Sequence, residues 1–487
     1  MFHNQALANV QLIPVPKSAK VYDDAKVLAQ LSINTKHEAW NGYIRIFKDY
    51  FNKINEVEIE ESCGGIELVY DISVKSPSYV FDTTNGIKIS ASDDEGILYG
   101  LATALQMVSV EGGKLKAEKI RIEDYPDKDY RGLMVDLANC WHPLHTVFKY
   151  IDACFFFKIK YIHMHFIDNK SYTLPSKAFP EISTKGKFYT FEEIAQIRKY
   201  AAERNIIIVP ELEAPGHARS LVMAYPEVFG NKMSKGSKAV IVTENGDVID
   251  SGDLICAGNP AAMDAIKALI AEISEMFPES PYIHIGGDEA NIAAWNDCEH
   301  CVKYMKENKI EDEYELYSDF VGRVAQSVLD NGKVPIVWEG FPKKGTERVP
   351  KETIVIAWES HYQLVTDLLE AGFKIINCTW QPLYIVNSLN QRWNPYDIMA
   401  WNVYNWQHWW EHSEAKLNPI TVQATDQVLG AQICSWGLTY EQDINFVMEN
   451  ISALSERTWS VHRECNDAEF HGKMTSALKK LALIIAE

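Results

Sequence analysis

The chain has 487 residues, 47% of them hydrophobic and 23% charged, with a formal net charge of −20. That length exceeds one small domain and suits a barrel of about 250–350 residues beside a smaller unit. The negative balance argues against a protein that grips nucleic-acid phosphates, and for one that stays soluble and handles neutral or cationic ligands.

No apolar run reaches the roughly 18 residues that a membrane span needs. The opening MFHNQALANVQLIPVPKSAK lacks a basic segment followed by an apolar core, so a cytoplasmic protein without a secretion signal is expected. Nine cysteines, an odd number scattered through the chain, favour a reducing compartment over a disulfide framework. Cys298 and Cys301 form a Cys-x-x-Cys with no second pair at matching spacing, so no metal is expected there.

In chain order, a strand-like run (GIKISAS, 86–92) is followed by DDEGILYGLATALQMV (93–108). There Ile97, Leu98, Leu101, Leu105 and Val108 share one helical face. Tyr125-Pro126 breaks the pattern, which predicts a small α/β accessory domain over 1–125. From residue 130 eight short β-branched runs recur: 131–137, 160–168, 205–213, 282–289, 334–340, 353–360, 373–380 and 428–436. Amphipathic helical stretches lie between most of them, among them 191–204 and 260–277. Eight buried strands alternating with helices predict a parallel (β/α)8 TIM barrel over 126–460. KMTSALKKLALIIA reads as a helix in a C-terminal tail, 461–487, packed on the barrel.

Nearly every run ends in a polar or aromatic residue: Asp168, Glu211 and Glu213, Asp288 and Glu289, Trp338 and Glu339, Trp358, Trp380, Trp436. In such barrels the C-terminal strand ends build the active site, so these side chains are expected to converge on one pocket. Carboxylates with a ring of tryptophans suit a carbohydrate, because indoles stack on pyranose faces while carboxylates bind hydroxyls and move protons. Gly286-Gly287-Asp288-Glu289 is the most specific feature. Two glycines allow a close approach, and two consecutive carboxylates diverge to serve different parts of a substrate.

HIGGDEA (284–290) resembles the catalytic motif of family 20 glycoside hydrolases, the β-N-acetylhexosaminidases. GILYGLATALQM resembles the family's accessory domain. RGLMVDLAN, KIKYIHMHFIDN, YAAERNIIIVPELEAPGHA, CAGNP, VPIVWEG, QICSWG and SERTWS resemble successive barrel segments in the family's order. The resemblance implies retaining hydrolysis of β-linked N-acetylhexosaminides in glycans or amino-sugar oligosaccharides, without a cofactor, the substrate's own acetamido oxygen acting as nucleophile. It assigns Asp288 to orienting the acetamido group, Glu289 to acid–base catalysis and Tyr384 to a hydrogen bond with the acetamido oxygen. Trp338, Trp358 and Trp436 would wall the sugar, and Asp168 and His217 would flank the carboxylates.

Three positions depart from the family pattern. Asn139 stands where an arginine is usual, Leu438 where a glutamate follows the tryptophan of the last strand, and Val386 where an aspartate follows the tyrosine. All three concern the far hydroxyls, which implies a sugar substituted or extended around C3, C4 or C6. Glu441 or the tryptophan-rich stretch 393–410 would have to compensate, and that stretch reads either as an extra subsite or as a packed loop. Two rival readings stand beside the hydrolase: a sugar-binding protein that has lost turnover, and a metal-dependent barrel hydrolase using His163, His165, Glu211, His217 and Asp288. The oligomeric state is left open.

Overall fold

The computed structural model describes residues 10–233, 240–242, 248–250, 252–386, 393–463 and 466–486, with backbone alone for 23–25, 240–242, 248–250 and 440–443. The N-terminal part is a seven-stranded sheet. Its main path runs Ser18–Ala29, Lys114–Asp124, Tyr79–Asp82, Ile87–Ala91, Ile66–Tyr70 and Ile33–Thr35, with Ser109–Glu111 paired beside Lys114–Asp124. Helix Asp94–Met107 packs on this sheet. Its first turn is capped by Asp93, whose side chain accepts from the Gly96 N–H at 2.6 Å.

All eight expected barrel strands form: β1 (Tyr130–Asp136), β2 (Tyr161–His165), β3 (Ile207–Pro210), β4 (Tyr282–His284), β5 (Val334–Trp338), β6 (Ile354–Ala357), β7 (Lys374–Asn377) and β8 (Val428–Trp436). They pair in parallel in the order β3-β2-β1-β8-β7-β6-β5-β4. A parallel bridge between Glu211 and His284 joins β3 to β4 and brings the ring round. β1 and β2 are buried along their whole length, as a sheet covered on both faces must be. The two helices expected over 191–204 and 260–277 form as Phe191–Ala202 and Pro260–Met276. Thr190 and Glu193 close a reciprocal capping box on the first, and Asn259 caps the second ahead of Pro260.

Helix Asp467–Ile485 packs against helix Asn41–Asn55 of the N-terminal part and helix Leu144–Phe156 of the barrel. A buried polar knot ties the same two parts together. The Asp124 carboxylate accepts from Tyr79 Oη at 2.7 Å, Trp459 Nε1 at 2.8 Å and the Lys17 N–H at 2.9 Å. Lys158, wholly buried, has Nζ 3.6 Å from Asp124 and donates to Tyr79 Oη at 2.8 Å. Burial lowers the Lys158 pKa to about 8, against the pull of Asp124.

Removing one partner of a buried pair leaves the other charge unpaired. Asp124→Ala is therefore expected to cost about 3–5 kcal/mol in chemical denaturation. A loss under about 1 kcal/mol would show that the knot does not hold the two parts together.

Candidate active site

The C-terminal mouth of the barrel holds a cavity of about 210 Å³, lined by His165, Asp168, Glu213, His217, Asp288, Glu289, Trp338, Trp358, Trp380, Tyr384, Val386 and Trp436. Of the residues expected at the site, Asp288, Glu289, Tyr384, Asp168, His217, Trp338, Trp358 and Trp436 all reach it. Asn139 does not line the wall. It sits behind Asp168, donating from Nδ2 to Asp168 Oδ2 at 2.6 Å, while its backbone N–H donates to Asp136 Oδ1 at 2.8 Å.

Local backbone geometry explains the Gly-Gly-Asp-Glu order. Gly286 and Gly287 both have positive φ, +67° and +93°. A Cβ on Gly286 would lie 2.0 Å from the Glu213 carboxylate, and one on Gly287 would lie 2.5 Å from Val337. The chain turns sharply out of β4 here, and the Gly287 N–H donates to Glu213 Oε1 at 3.0 Å. Glu289 and His217 also have positive φ, 45° and 49°, which is uncommon for residues with side chains. Asp288 therefore points into the pocket, while Glu289 stands at its rim with a side chain 52% exposed.

His217 links the acids. Its Nδ1 lies 3.3 Å from Asp168 Oδ1, and its Nε2 lies 3.3 Å from Glu289 Oε2 and 3.9 Å from Asp288 Oδ2. Burial disfavours the imidazolium, but Asp168, Glu289 and Asp288 outweigh it and hold the His217 pKa well above its ordinary value. Asp168 shows the reverse: burial works against its charge, yet His165 and His217 push its pKa far down. Burial raises Asp288 to about 7, helped by Glu289 and Glu211 and opposed by His217. Glu213 is pushed well above its ordinary range by burial and then by Asp288. Asp288 Oδ1 is buried and has no hydrogen-bond partner among the described residues.

Aromatic rings form the rest of the wall. Tyr384 lies between two indoles, stacked on Trp380 at 4.2 Å and on Trp358 at 5.8 Å. Trp338 sits between Trp358 and Trp436, each 6.2 Å away. The Trp358 indole is fixed by Nε1 donating to the Glu339 carbonyl at 2.8 Å.

Two strand-end carboxylates expected at the pocket are used elsewhere. The Glu339 side chain accepts the backbone N–H groups of Ser360 and His361, each at 2.9 Å, and so anchors the loop after β6. Glu211 lies below the cavity floor, where three imidazoles and the Trp338 indole surround it. Its oxygens are already engaged there. His163 makes its second contact with Gln432 at 3.1 Å, so His163, His165 and Glu211 of the metal-hydrolase reading share one hydrogen-bond network.

Leu438 is buried in the core and Val386 lines the cavity, so neither supplies a polar group. The Glu441 side chain lies outside the described residues. In the 393–410 stretch Trp401 and Trp406 are packed, with Nε1 donating to the carbonyls of Asn405 and Ala357. Trp409 touches Trp380 edge-on at 5.7 Å. The stretch is thus mainly a packed loop whose far end supports the pocket wall.

Sequence reasoning missed Glu359 and His408. Glu359 follows Trp358, accepts from Trp380 Nε1 at 3.4 Å and lies 3.5 Å from His408. Burial, then Glu339 and Glu289, raise its pKa to about 9. Its position one residue past a strand-end tryptophan was the available signal.

An eight-stranded barrel with acids and indoles at its C-terminal mouth has the build of a glycoside hydrolase. The sequence profile "Glycosyl hydrolase family 20, catalytic domain" matches residues 129–462, and that of "Glycosyl hydrolase family 20, domain 2" matches 9–125. The chain belongs to glycosyl hydrolase family 20, and it is a glycoside hydrolase of the β-N-acetylhexosaminidase type. A β-hexosaminidase subunit beta of Entamoeba histolytica is 31% identical over 454 residues, covering 88% of this chain and 77% of that protein. A β-hexosaminidase of Porphyromonas gingivalis is 26% identical, covering 72% of this chain and 47% of its own length. Among solved structures, a family 20 exo-β-N-acetylglucosaminidase from Vibrio harveyi in complex with N-acetylglucosamine shares the fold. Its TM-score is 0.82 at 20% identity, over 97% of this chain and 77% of that one.

Gly286→Ala forces a side chain into the space of the Glu213 carboxylate. Displacement of about 1 Å in a catalytic constellation costs on the order of a hundredfold in rate. The expected outcome is a drop of about that size in kcat/KM with a native circular dichroism spectrum. Activity within a few-fold of wild type would show that the turn does not set the site.

Proposed function

We propose that this enzyme hydrolyses β-linked 2-acetamido-2-deoxyhexosides with retention, using the substrate's acetamido oxygen as the nucleophile. The observation that carries this reading is Asp288. It is a largely buried carboxylate inside an aromatic cage, with one oxygen lacking a hydrogen-bond partner among the described residues. An acetamido N–H in the cavity is a natural donor to the Asp288 carboxylate, and the cationic ring formed by acetamido attack is the charge an ionised Asp288 would stabilise. Tyr384, held between Trp358 and Trp380, would donate to the acetamido oxygen and steady it for attack.

Glu289 would carry the proton traffic. Standing at the exposed rim and linked to His217, it can protonate the departing glycosidic oxygen and then deprotonate the incoming water. Its exposure leaves space for leaving groups of varied size. The neutral surface at Val386 supports a sugar carrying a substituent or a further unit, because no charged clamp is placed there among the described residues. A protein that merely bound sugar would need no general acid paired with a buried, unsatisfied carboxylate.

Nitrophenyl β-glycosides of N-acetylglucosamine, N-acetylgalactosamine, their 6-sulfated forms, lacto-N-biose and glucose test the substrate class. Turnover confined to acetamido sugars is expected, and comparable turnover of the plain glucoside would overturn the reading. Glu289→Gln is expected to lose about 10²–10⁴-fold on poor leaving groups while sparing good ones; equal losses on both would contradict the acid role.

Ionised Asp288 is the working form, so kcat/KM should fall as the pH drops through about 7. The His217 cation favours that ionised form, so His217→Asn should move the acid limb to higher pH. A limb that stays in place, or moves to lower pH, would show that another group governs it.

A further inference from the structure

Beside the barrel mouth, three cysteines from two chain segments come together. Cys256 Sγ lies 3.5 Å from Cys298 Sγ and 3.6 Å from Cys301 Sγ, and all three sulfurs fall within 4.8 Å of one another. All three residues are buried, and the eight described cysteines are all free of disulfides. Cys298 and Cys301 stand at the start of helix Glu299–Glu307, and Cys256 lies in the irregular segment before helix Pro260–Met276. A sequence separation of 42 between Cys256 and Cys298 hid this third member from spacing arguments.

The spacing fits a tetrahedral thiolate site. A Zn–S bond of about 2.3 Å sets the sulfurs of such a site about 3.8 Å apart. Three neutral thiols hold one another weakly, since a thiol is a poor donor and a poor acceptor. One disulfide would leave the third sulfur over. Residues 252–259, which carry Cys256, form neither helix nor strand. The Cys256 N–H donates to the Phe229 carbonyl at 2.8 Å, the Glu299 N–H to the Lys232 carbonyl at 2.9 Å, and an isolated bridge pairs Met233 with Cys298. Three separate stretches of chain thus meet at the sulfurs. The helix that starts at Glu299 presents its positive end to them, which offsets part of their negative charge.

We propose that Cys256, Cys298 and Cys301 form a structural zinc site, with a non-cysteine ligand in the fourth position. The site staples together the two loops that back the catalytic acids. The Trp295 indole, between Glu289 and Cys298, donates to the Ile255 carbonyl at 3.0 Å. The Ile255 N–H donates to Pro215 at 2.8 Å, and the Ala218 N–H donates to Asp253 at 2.9 Å, on either side of His217. Zinc at the cysteines would therefore hold the segment leaving Glu289 and the segment carrying His217 in register. The thiols lose their protons to solvent as the metal binds.

The test uses the full-length protein, prepared anaerobically, loaded with zinc and desalted against a weak chelator. Elemental analysis should find about one zinc per chain, falling at least about tenfold in Cys256→Ser and in the Cys298→Ser/Cys301→Ser double variant. Cobalt(II) exchanged into the wild type should give the sulfur-to-cobalt charge-transfer band and the intense visible bands of a tetrahedral thiolate site. This readout needs no variant to fold. Stripping the metal should lower the thermal unfolding midpoint. A folded, active wild type that retains less than a tenth of a zinc would overturn the proposal. So would zinc content unchanged in the variants, or two of the three cysteines resisting alkylation until reduced.

Discussion

The buried Glu211 carboxylate is the interaction on which the rest of the mouth depends. One of its oxygens meets His163 Nε2 at 3.1 Å and also His165 Nδ1; the other meets His284 Nδ1 at 2.8 Å and Trp338 Nε1 at 2.9 Å. These partners come from β2, β4 and β5, and Glu211 itself follows β3 at the bridge to His284 that completes the ring. Gln432 of β8 joins through His163. Burial opposes the charge on Glu211, but His165, His284 and His163 together hold its pKa far below the usual carboxylate range. A buried charge is tolerable only when it is surrounded in this way. The same arrangement fixes the Trp338 indole, which forms part of the cavity lining.

Above that hub the charges alternate. His165 and His217 flank Asp168, and His217 reaches Glu289 and Asp288. The environments of the carboxyls differ, so they do not behave alike. Asp168 is held ionised by two imidazoles, Asp288 is raised by burial to about 7, and Glu213 beside it is pushed well above its ordinary range. Pairs of titratable groups driven apart in this manner are where acid and base roles divide. Asn139 belongs to this layer rather than to the sugar-facing wall, because its amide is spent on Asp168 and Asp136.

Much of this was legible in the residues. Eight β-branched runs appear as eight barrel strands, and HIGGDEA lies where a strand-end rule places it. The rule that strand-end side chains converge failed at Glu211 and Glu339 for a physical reason. Position along a strand gives the face a side chain takes but not its depth. Glu211 and Glu213 share a face two residues apart, yet one is below the floor and the other lines the cavity. Glu339 was diverted by the loop after β6, whose free N–H groups need an acceptor. The positive φ at His217 and Glu289 has no signature in residue type. Cys256 joins Cys298 and Cys301 only through the tertiary fold.

Acetamido participation is the central proposal, and the most direct measurement varies that group alone. Nitrophenyl β-glycosides bearing acetyl, monofluoroacetyl, difluoroacetyl and trifluoroacetyl groups differ little in size but steadily in the nucleophilicity of the carbonyl oxygen. Acetamido participation predicts that log kcat/KM falls with each added fluorine. A flat series would contradict it and would assign the nucleophile to a carboxylate of the enzyme.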